Sequence, residues 1–402
     1  MTVFSKFIQG YKSLAVILLN TLLLAGIIYA VSNGVVLVKG KLSGRGKPLP
    51  QTYVSQRYGR LLKIAYPRMK EDALNRLLEE SWTRPFQYEP FTQFKEGLLQ
   101  GDFVNVRPEG FRVTPPQGPW PPDPGQYNIF LFGGSTTFNY GLPDDQTIAA
   151  GLQNDLRQRH PGQDINVYNF GRGYYYSSQE LALFMRLLAQ GYVPDMAVFI
   201  DGYNEFIFYR DQPYFSEDLT RYFQERNQGL FKKAFKKHLA QSVLPSLLRK
   251  SPPGKSQAQQ EKENIEYEKT VYQHKEEITR AVFKHYWANK RLIEALAREF
   301  GITPVFVWQP VAAYRYDLQY SPFPIPILDD VLIRYGYSRM AELARDGVPG
   351  RNFLWCADIQ AQAREGLYVD ACHYNAKNSR NFASCIAQYI TEQGFLPTPS
   401  GR

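Results

Sequence analysis

The 402-residue chain is expected to fold as an α/β protein, a parallel sheet covered by helices on both faces. Two observations predict this. From Tyr127 onward, short apolar runs alternate with segments of helical period, and chemistry-bearing residues stand just after the apolar runs. The runs are Ile129–Phe132, Ile165–Asn169, Met196–Ile200, Pro304–Trp308 and Phe353–Cys356. Helical patterns separate them at Thr147–Gln158, Ser178–Gln190, Ile278–Phe300 and Ile327–Arg345, and Ala376–Gln393 closes the chain. In this architecture ligand sites collect at the carboxyl ends of the strands.

Before the sheet, Leu14–Val38 is almost free of charge and long enough to span a bilayer, for which about 20 apolar residues suffice. A cleaved signal peptide is the rival reading, because Lys6 and Lys12 precede the run, but Ile28 is not the small residue a cleavage site after Ala30 would need. Residues 1–39 are therefore expected to be an uncleaved single-pass anchor. Lys39, Lys41, Arg45 and Lys47 follow the run, and a strict positive-inside count would keep the α/β domain in the cytoplasm; large domains translocate largely regardless of such counts, and the domain is expected outside the cytoplasm. Residues 40–125 follow as a linker (Gly40–Gln51), helical stretches within Tyr53–Trp82, and an aromatic- and proline-rich segment, Arg84–Gly118, expected to wrap irregularly. The α/β domain occupies 126–396, with an insertion at about 206–277. In that insertion Phe231, Phe235, Leu239 and Val243 stand four apart among lysines, which suits a helix on an anionic membrane, a lid, or a helix packed on its own domain. Ser251–Gln260 and the charged run after it read as a linker.

Composition narrows the function. A hydrophobic content of 44% fits a folded protein. The net charge of +9 does not gather into a nucleic-acid motif; basic residues flank the apolar segment instead, so a membrane is the expected partner and nucleic acid is not. Cys356, Cys372 and Cys385 give an odd count without zinc spacing, so neither a metal site nor a disulfide framework is indicated, and a single pair stays open.

Four segments carry the chemistry. Gly133-Gly134 ends the first run, and Ser135 follows at a strand-to-helix turn, where a nucleophile is exposed and N–H groups can steady an anion. The plainer alternative is a glycine turn whose serine caps the backbone. Asp370 and His373, three apart before the last helix, can place carboxylate against imidazole, or Asp370 can simply cap the turn. Asn204 follows the third run and can donate its amide to a developing oxyanion, or be an ordinary turn asparagine. Asn169-Phe-Gly-Arg-Gly173 offers a further backbone donor. Asp201 and Glu205 on one turn are poorly spaced for glycoside cleavage.

In this order the segments resemble those of the SGNH (GDSL-type) hydrolases, over roughly Asn128 to Gln393. Phe132-Gly-Gly-Ser-Thr-Thr137 resembles the nucleophile block, with Gly134 where many members carry Asp; Gly202-Tyr-Asn-Glu205 resembles the Gly-x-Asn-Asp block, with Glu205 as the last residue; Asp370-Ala-Cys-His373 matches the Asp-x-x-His block. Asn169-Phe-Gly-Arg-Gly173 resembles the second block, whose oxyanion glycine falls five positions after the asparagine; Tyr174 stands there and Gly173 one earlier, so the donor is one of these two. The resemblance implies a flavodoxin-like three-layer fold with a five-stranded parallel sheet and no cofactor. It implies Ser135 as nucleophile, His373 as base, Asp370 as its partner, and Ser135 N–H, Gly173 N–H and Asn204 around the oxyanion. The function expected is a membrane-anchored serine esterase that cleaves or transfers O-acyl groups of a cell-envelope carbohydrate or lipid. The alternatives are a non-catalytic scaffold that binds polysaccharide or an assembly partner, and a lipase or lysophospholipase.

Overall fold

The computed structural model describes residues 52–227, 257–326 and 329–396, which belong to one compact unit beginning at Pro50. The expected membrane span, the linker and the basic segment at 230–243 lie outside the described residues. Among the described residues no helix is long and apolar enough to cross a membrane.

Five strands make the central sheet: β1 (Tyr127–Gly133), β2 (Ile165–Asn169), β3 (Met196–Asp201), β4 (Thr303–Trp308) and β5 (Phe353–Trp355). They are all parallel, in the order β2-β1-β3-β4-β5. Every residue of β1, β2 and β3 is buried, which is why they read as unbroken apolar runs and not as alternating ones. The main helices packed against it are α1 (Ile148–Arg159), α2 (Ser177–Ala189), α3 (Gln257–Glu299), α4 (Arg334–Arg345) and α5 (Ala376–Glu392).

Successive strand side chains leave on opposite faces and build two cores. On one face Phe130, Phe132, Phe199, Phe306 and Trp308 are buried with Phe184 of α2 and Val282 and Tyr286 of α3. Phe132, Phe199 and Phe306 stack across three strands, with centroids 4.8 and 5.4 Å apart. On the other face Ile129, Leu131, Val198, Ile200, Val305 and Val307 pack with Leu152 of α1 and Phe382 and Ile386 of α5. Each such side chain stabilises the fold by about 1.5–3 kcal/mol when fully buried. The result is a three-layer sandwich of flavodoxin-like order. Its chain reverses direction across the sheet between β1 and β3, where a crevice opens at the carboxyl ends.

Two expectations need correction. Arg84–Gly118 is not irregular throughout: Phe86–Glu89 and Gln93–Glu96 form an antiparallel hairpin, and Leu99–Gln100 pairs with Asn105–Val106. Strands this short, closed by a turn in which Phe91 and Gln93 take positive φ, give no lasting period. The charged run after Gln260 is not a linker but the first half of α3, which holds buried residues at 271, 278, 282, 286, 293 and 297. Spacings of four and seven keep one apolar stripe on the core. The single cysteine pair that the sequence left open is Cys356 with Cys385, joined in a disulfide that ties the end of β5 to α5.

Three acids, Glu180 on α2, Asp201 at the end of β3 and Glu205 just beyond it, are buried. Burial raises all three carboxyls, and repulsion from neighbouring acids raises Glu180 and Asp201 further. Burial pushes Glu205 up to about 7 against the hydrogen bonds it accepts from Ser177. An acid whose folded pKa is raised gives stability that is present at acid pH and lost as pH rises through that value. Melting temperature is therefore expected to fall from about pH 5 to pH 8, and Glu180→Gln to recover about 1 kcal/mol at pH 8 while flattening the slope. Thermal melts across this range check it; an unchanged slope in the variant contradicts it.

Candidate active site

β1 ends at Gly133, whose φ of +154° only glycine takes comfortably, and the chain turns at once into the single helical turn Ser135–Phe138. A Cβ on Gly133 would stand 2.0 Å from Thr137 Oγ1, and one on Gly134 would stand 2.4 Å from Asn204 Nδ2. The space that an Asp at position 134 would need is thus filled by the Asn204 amide. Ser135 comes first in the turn, so its N–H has no carbonyl behind it in the helix to bond.

The turn delivers Ser135 Oγ to His373 Nε2 at 2.8 Å, and His373 Nδ1 meets Asp370 Oδ2 at 2.6 Å. Asp370 Oδ1 accepts the backbone N–H of Cys372 at 2.8 Å and of His373 at 2.7 Å. The two readings of Asp370, turn cap and imidazole partner, are realised together by its two oxygens. Burial by itself would raise this carboxyl, but the charge and hydrogen bonds of His373 and the backbone N–H groups outweigh burial and hold it below the usual range. An ionised Asp370 fixes the ring proton on Nδ1, which leaves the Nε2 lone pair for the Ser135 hydroxyl.

On the oxyanion side, Asn204 sits on the turn Tyr203–Ile207, and its Nδ2 donates to Tyr175 O at 2.6 Å. It lines one pocket with Ser135 and His373. Gly173 lines the same pocket, but its N–H donates to Glu96 Oε1 at 2.8 Å and so is not turned to Ser135 as the resemblance implied. Tyr174 follows with φ +64°, 38% exposed, and stacks on Tyr214 at 3.8 Å. Glu205 does not face the pocket: its carboxylate accepts Ser177 N–H at 2.7 Å and Ser177 Oγ–H at 3.0 Å at the start of α2.

The pocket encloses about 350 Å³ and is walled largely by aromatic rings: Tyr58, Trp82, Phe86, Tyr140, Tyr174 and Tyr203, with Arg57 among them. Trp82, Arg84 and Phe86 come from the segment before the sheet and were not expected in the site. No motif marks them, and only the density of aromatics between Trp82 and Phe94 hinted at a packed role. Tyr140 stacks on the His373 ring, with centroids 5.6 Å apart at 14°, and Trp82 meets it edge-on at 6.1 Å. Of the other described histidines, His160 bonds Thr391 Oγ1 at 3.0 Å, His274 contacts Glu277 at 3.3 Å, and His285 is exposed. Among the described residues one group of metal-type donors lies close together, Asp370, Cys372 and His373, within 4.8 Å. The pairing of His373 Nδ1 with Asp370 accounts for that closeness, and no metal is assigned.

Fold and site together define a serine–histidine–aspartate constellation at the carboxyl end of a flavodoxin-like sheet. Solved structures that align with the chain include lipolytic proteins of the G-D-S-L family and esterases. They include a member of the lipolytic G-D-S-L family from Veillonella parvula DSM 2008, 11% identical, covering 66% of this chain and 97% of that one, with a TM-score of 0.33. The psychrotrophic esterase EstA from Pseudoalteromonas sp. is 12% identical over 66% and 98%, TM-score 0.33, and the acetyl xylan esterase AlAXEase 14% identical over 65% and 99%, TM-score 0.35. No protein-family model and no curated protein matches the chain. At these scores the likeness carries no weight by itself, and the assignment rests on strand order and side-chain geometry.

Proposed function

We propose that this protein is a serine ester hydrolase or acyltransferase. The observation that carries the reading is the continuous contact from Asp370 Oδ2 through His373 to Ser135 Oγ, at 2.6 and 2.8 Å. Ser135 Oγ attacks the acyl carbon while His373 Nε2 takes its proton, and the oxyanion forms toward Ser135 N–H and the Asn204 amide. The alcohol leaves with the proton from His373. Water, or a sugar hydroxyl, then gives its proton to His373 and attacks the acyl-Ser135 carbonyl; the acyl–Oγ bond breaks as His373 returns that proton to Ser135 Oγ, releasing acid or the new ester.

The substrate we favour is an O-acylated carbohydrate or lipid of the cell envelope, met by a membrane-anchored enzyme outside the cytoplasm. The apolar Leu14–Val38 run supports the anchor. The Cys356–Cys385 disulfide supports an oxidising compartment. Aromatic walls with an arginine suit a sugar ring as well as an acyl chain.

A panel of p-nitrophenyl esters from acetate to palmitate, with an O-acetylated polysaccharide beside it, tests this. Preference for acetate and release of polysaccharide-bound acetate are expected, and an acylated acceptor would mark transfer. Preference for palmitate would favour a lipase, and no turnover by a folded protein would favour a binding scaffold. Within the reading, Asn204→Ala should lower kcat about 10²–10³-fold with KM little changed, and Gly134→Ala, which pushes the same amide aside, should match it. Steady-state kinetics that leave kcat untouched would remove Asn204 from the oxyanion site.

A further inference from the structure

The strongest unexplained feature of the site is an ion pair that approaches it from outside the sheet. Glu96, 1% exposed, meets Arg84 through Oε2 at 3.0 Å, and both side chains are almost wholly buried. Its other oxygen accepts two donors, the Tyr140 hydroxyl at 2.8 Å and the Gly173 N–H at 2.8 Å. The Tyr140 ring lies flat against the His373 imidazole, and the Arg84 guanidinium carbon lies 5.3 Å from the same ring's centroid. A buried ion pair gives little stability over an apolar pair of similar volume, so folding alone does not explain it.

We propose that Glu96 and Arg84 are positioning residues for the reaction, setting the charge behind His373 through Tyr140. The inference rests on Ser135 and His373 acting as nucleophile and base. When His373 takes the Ser135 proton, the imidazolium faces a phenol ring whose hydroxyl is tied to a carboxylate. Burial, and then the charge of Glu96, raises the Tyr140 hydroxyl well above its ordinary value, so Tyr140 remains the donor. A carboxylate there favours an imidazolium formed during the reaction and a guanidinium disfavours it, so removing either one leaves the other's charge uncompensated. By holding Gly173 N–H, the same carboxylate also sets the second block's turn, which leaves the oxyanion to Ser135 N–H and Asn204.

The other titratable groups around His373 stay the same across the variants that test this: Asp370 on Nδ1, Cys372 Sγ 3.5 Å from Nδ1, and Tyr66, which feels the charge of Asp370. Trp82 packs on the ring from the helix Glu71–Trp82 without a charge, and Arg57 lines the same pocket.

The test is the rate of Ser135 labelling by a fluorophosphonate against pH, in the full chain and in four variants. Glu96→Gln keeps an oxygen for Tyr140 and Gly173 but leaves Arg84 uncompensated, so the acid limb should move down by about 0.5–1 pH unit. Arg84→Gln should move it up by a similar amount, and the double variant should return it toward the original. Tyr140→Phe keeps the stack and both charges, so its limb should stay close to the original. A merely structural role would lower labelling at every pH without moving the limb. A limb unmoved in Glu96→Gln and in Arg84→Gln overturns the proposal. Absence of any Ser135 labelling in the unsubstituted chain overturns the assignment of nucleophile and base, and the proposal with it.

Discussion

Ser135→Ala is expected to lower ester turnover by about 10⁴–10⁶-fold and to leave the melting temperature nearly unchanged. The loss is large because the covalent route ends with the Oγ atom: His373 Nε2, 2.8 Å away, has no other hydroxyl at that distance among the described contacts to activate. Stability is spared because Ser135 is only partly buried, and its backbone, which shapes the turn after Gly134, is unchanged. Initial rates on p-nitrophenyl acetate, read beside a thermal melt, decide the matter. Activity close to that of the unsubstituted protein would place the nucleophile elsewhere, with Cys372 as the first candidate because its Sγ lies 3.5 Å from His373 Nδ1.

Asp370→Asn is the second large effect, a fall in kcat of about 10³–10⁴-fold with little change in fold. The amide oxygen can still accept the N–H groups of Cys372 and His373, so the turn survives. The amide nitrogen, however, presents hydrogens to Nδ1. The ring proton is driven to Nε2, which then faces Ser135 as a donor and takes no proton. The same substitution removes a pH-dependent part of stability. Because the folded Asp370 carboxyl is held below its ordinary value of 3.8, its contribution is fully present above about pH 4 and lost as pH falls through the lower folded value. Melts of the two proteins should therefore converge at acid pH. A variant with near-normal kcat would show that Asp370 serves only as a turn cap.

Where the sequence could be read, burial was the reason. Strands β1 to β3 are buried on both faces, so their apolar runs are continuous and end in Gly133, Asn169 and Asp201, within two residues of the predicted ends. Asp370 and His373 are three apart and act within one turn, so their pairing is a local property. The unreadable parts depend on distant partners. Glu96 and Gly173 are 77 positions apart, and nothing near either announces the bond between them. Cys356 and Cys385 are separated by 29 residues and are brought together only when α5 packs beside β5. Helix α3 was cut short because its first turns carry charges in place of core residues, and Val271 was too isolated to mark the stripe.

Everything proposed for the chemistry depends on Ser135 being a nucleophile that His373 activates. Mass spectrometry of the full chain after reaction with a fluorophosphonate measures this without any choice of substrate. One adduct is expected, on the peptide that contains Ser135, formed by the unsubstituted protein and lost in His373→Ala. A folded protein without that adduct, or an adduct on Ser135 that forms equally fast without His373, would contradict it.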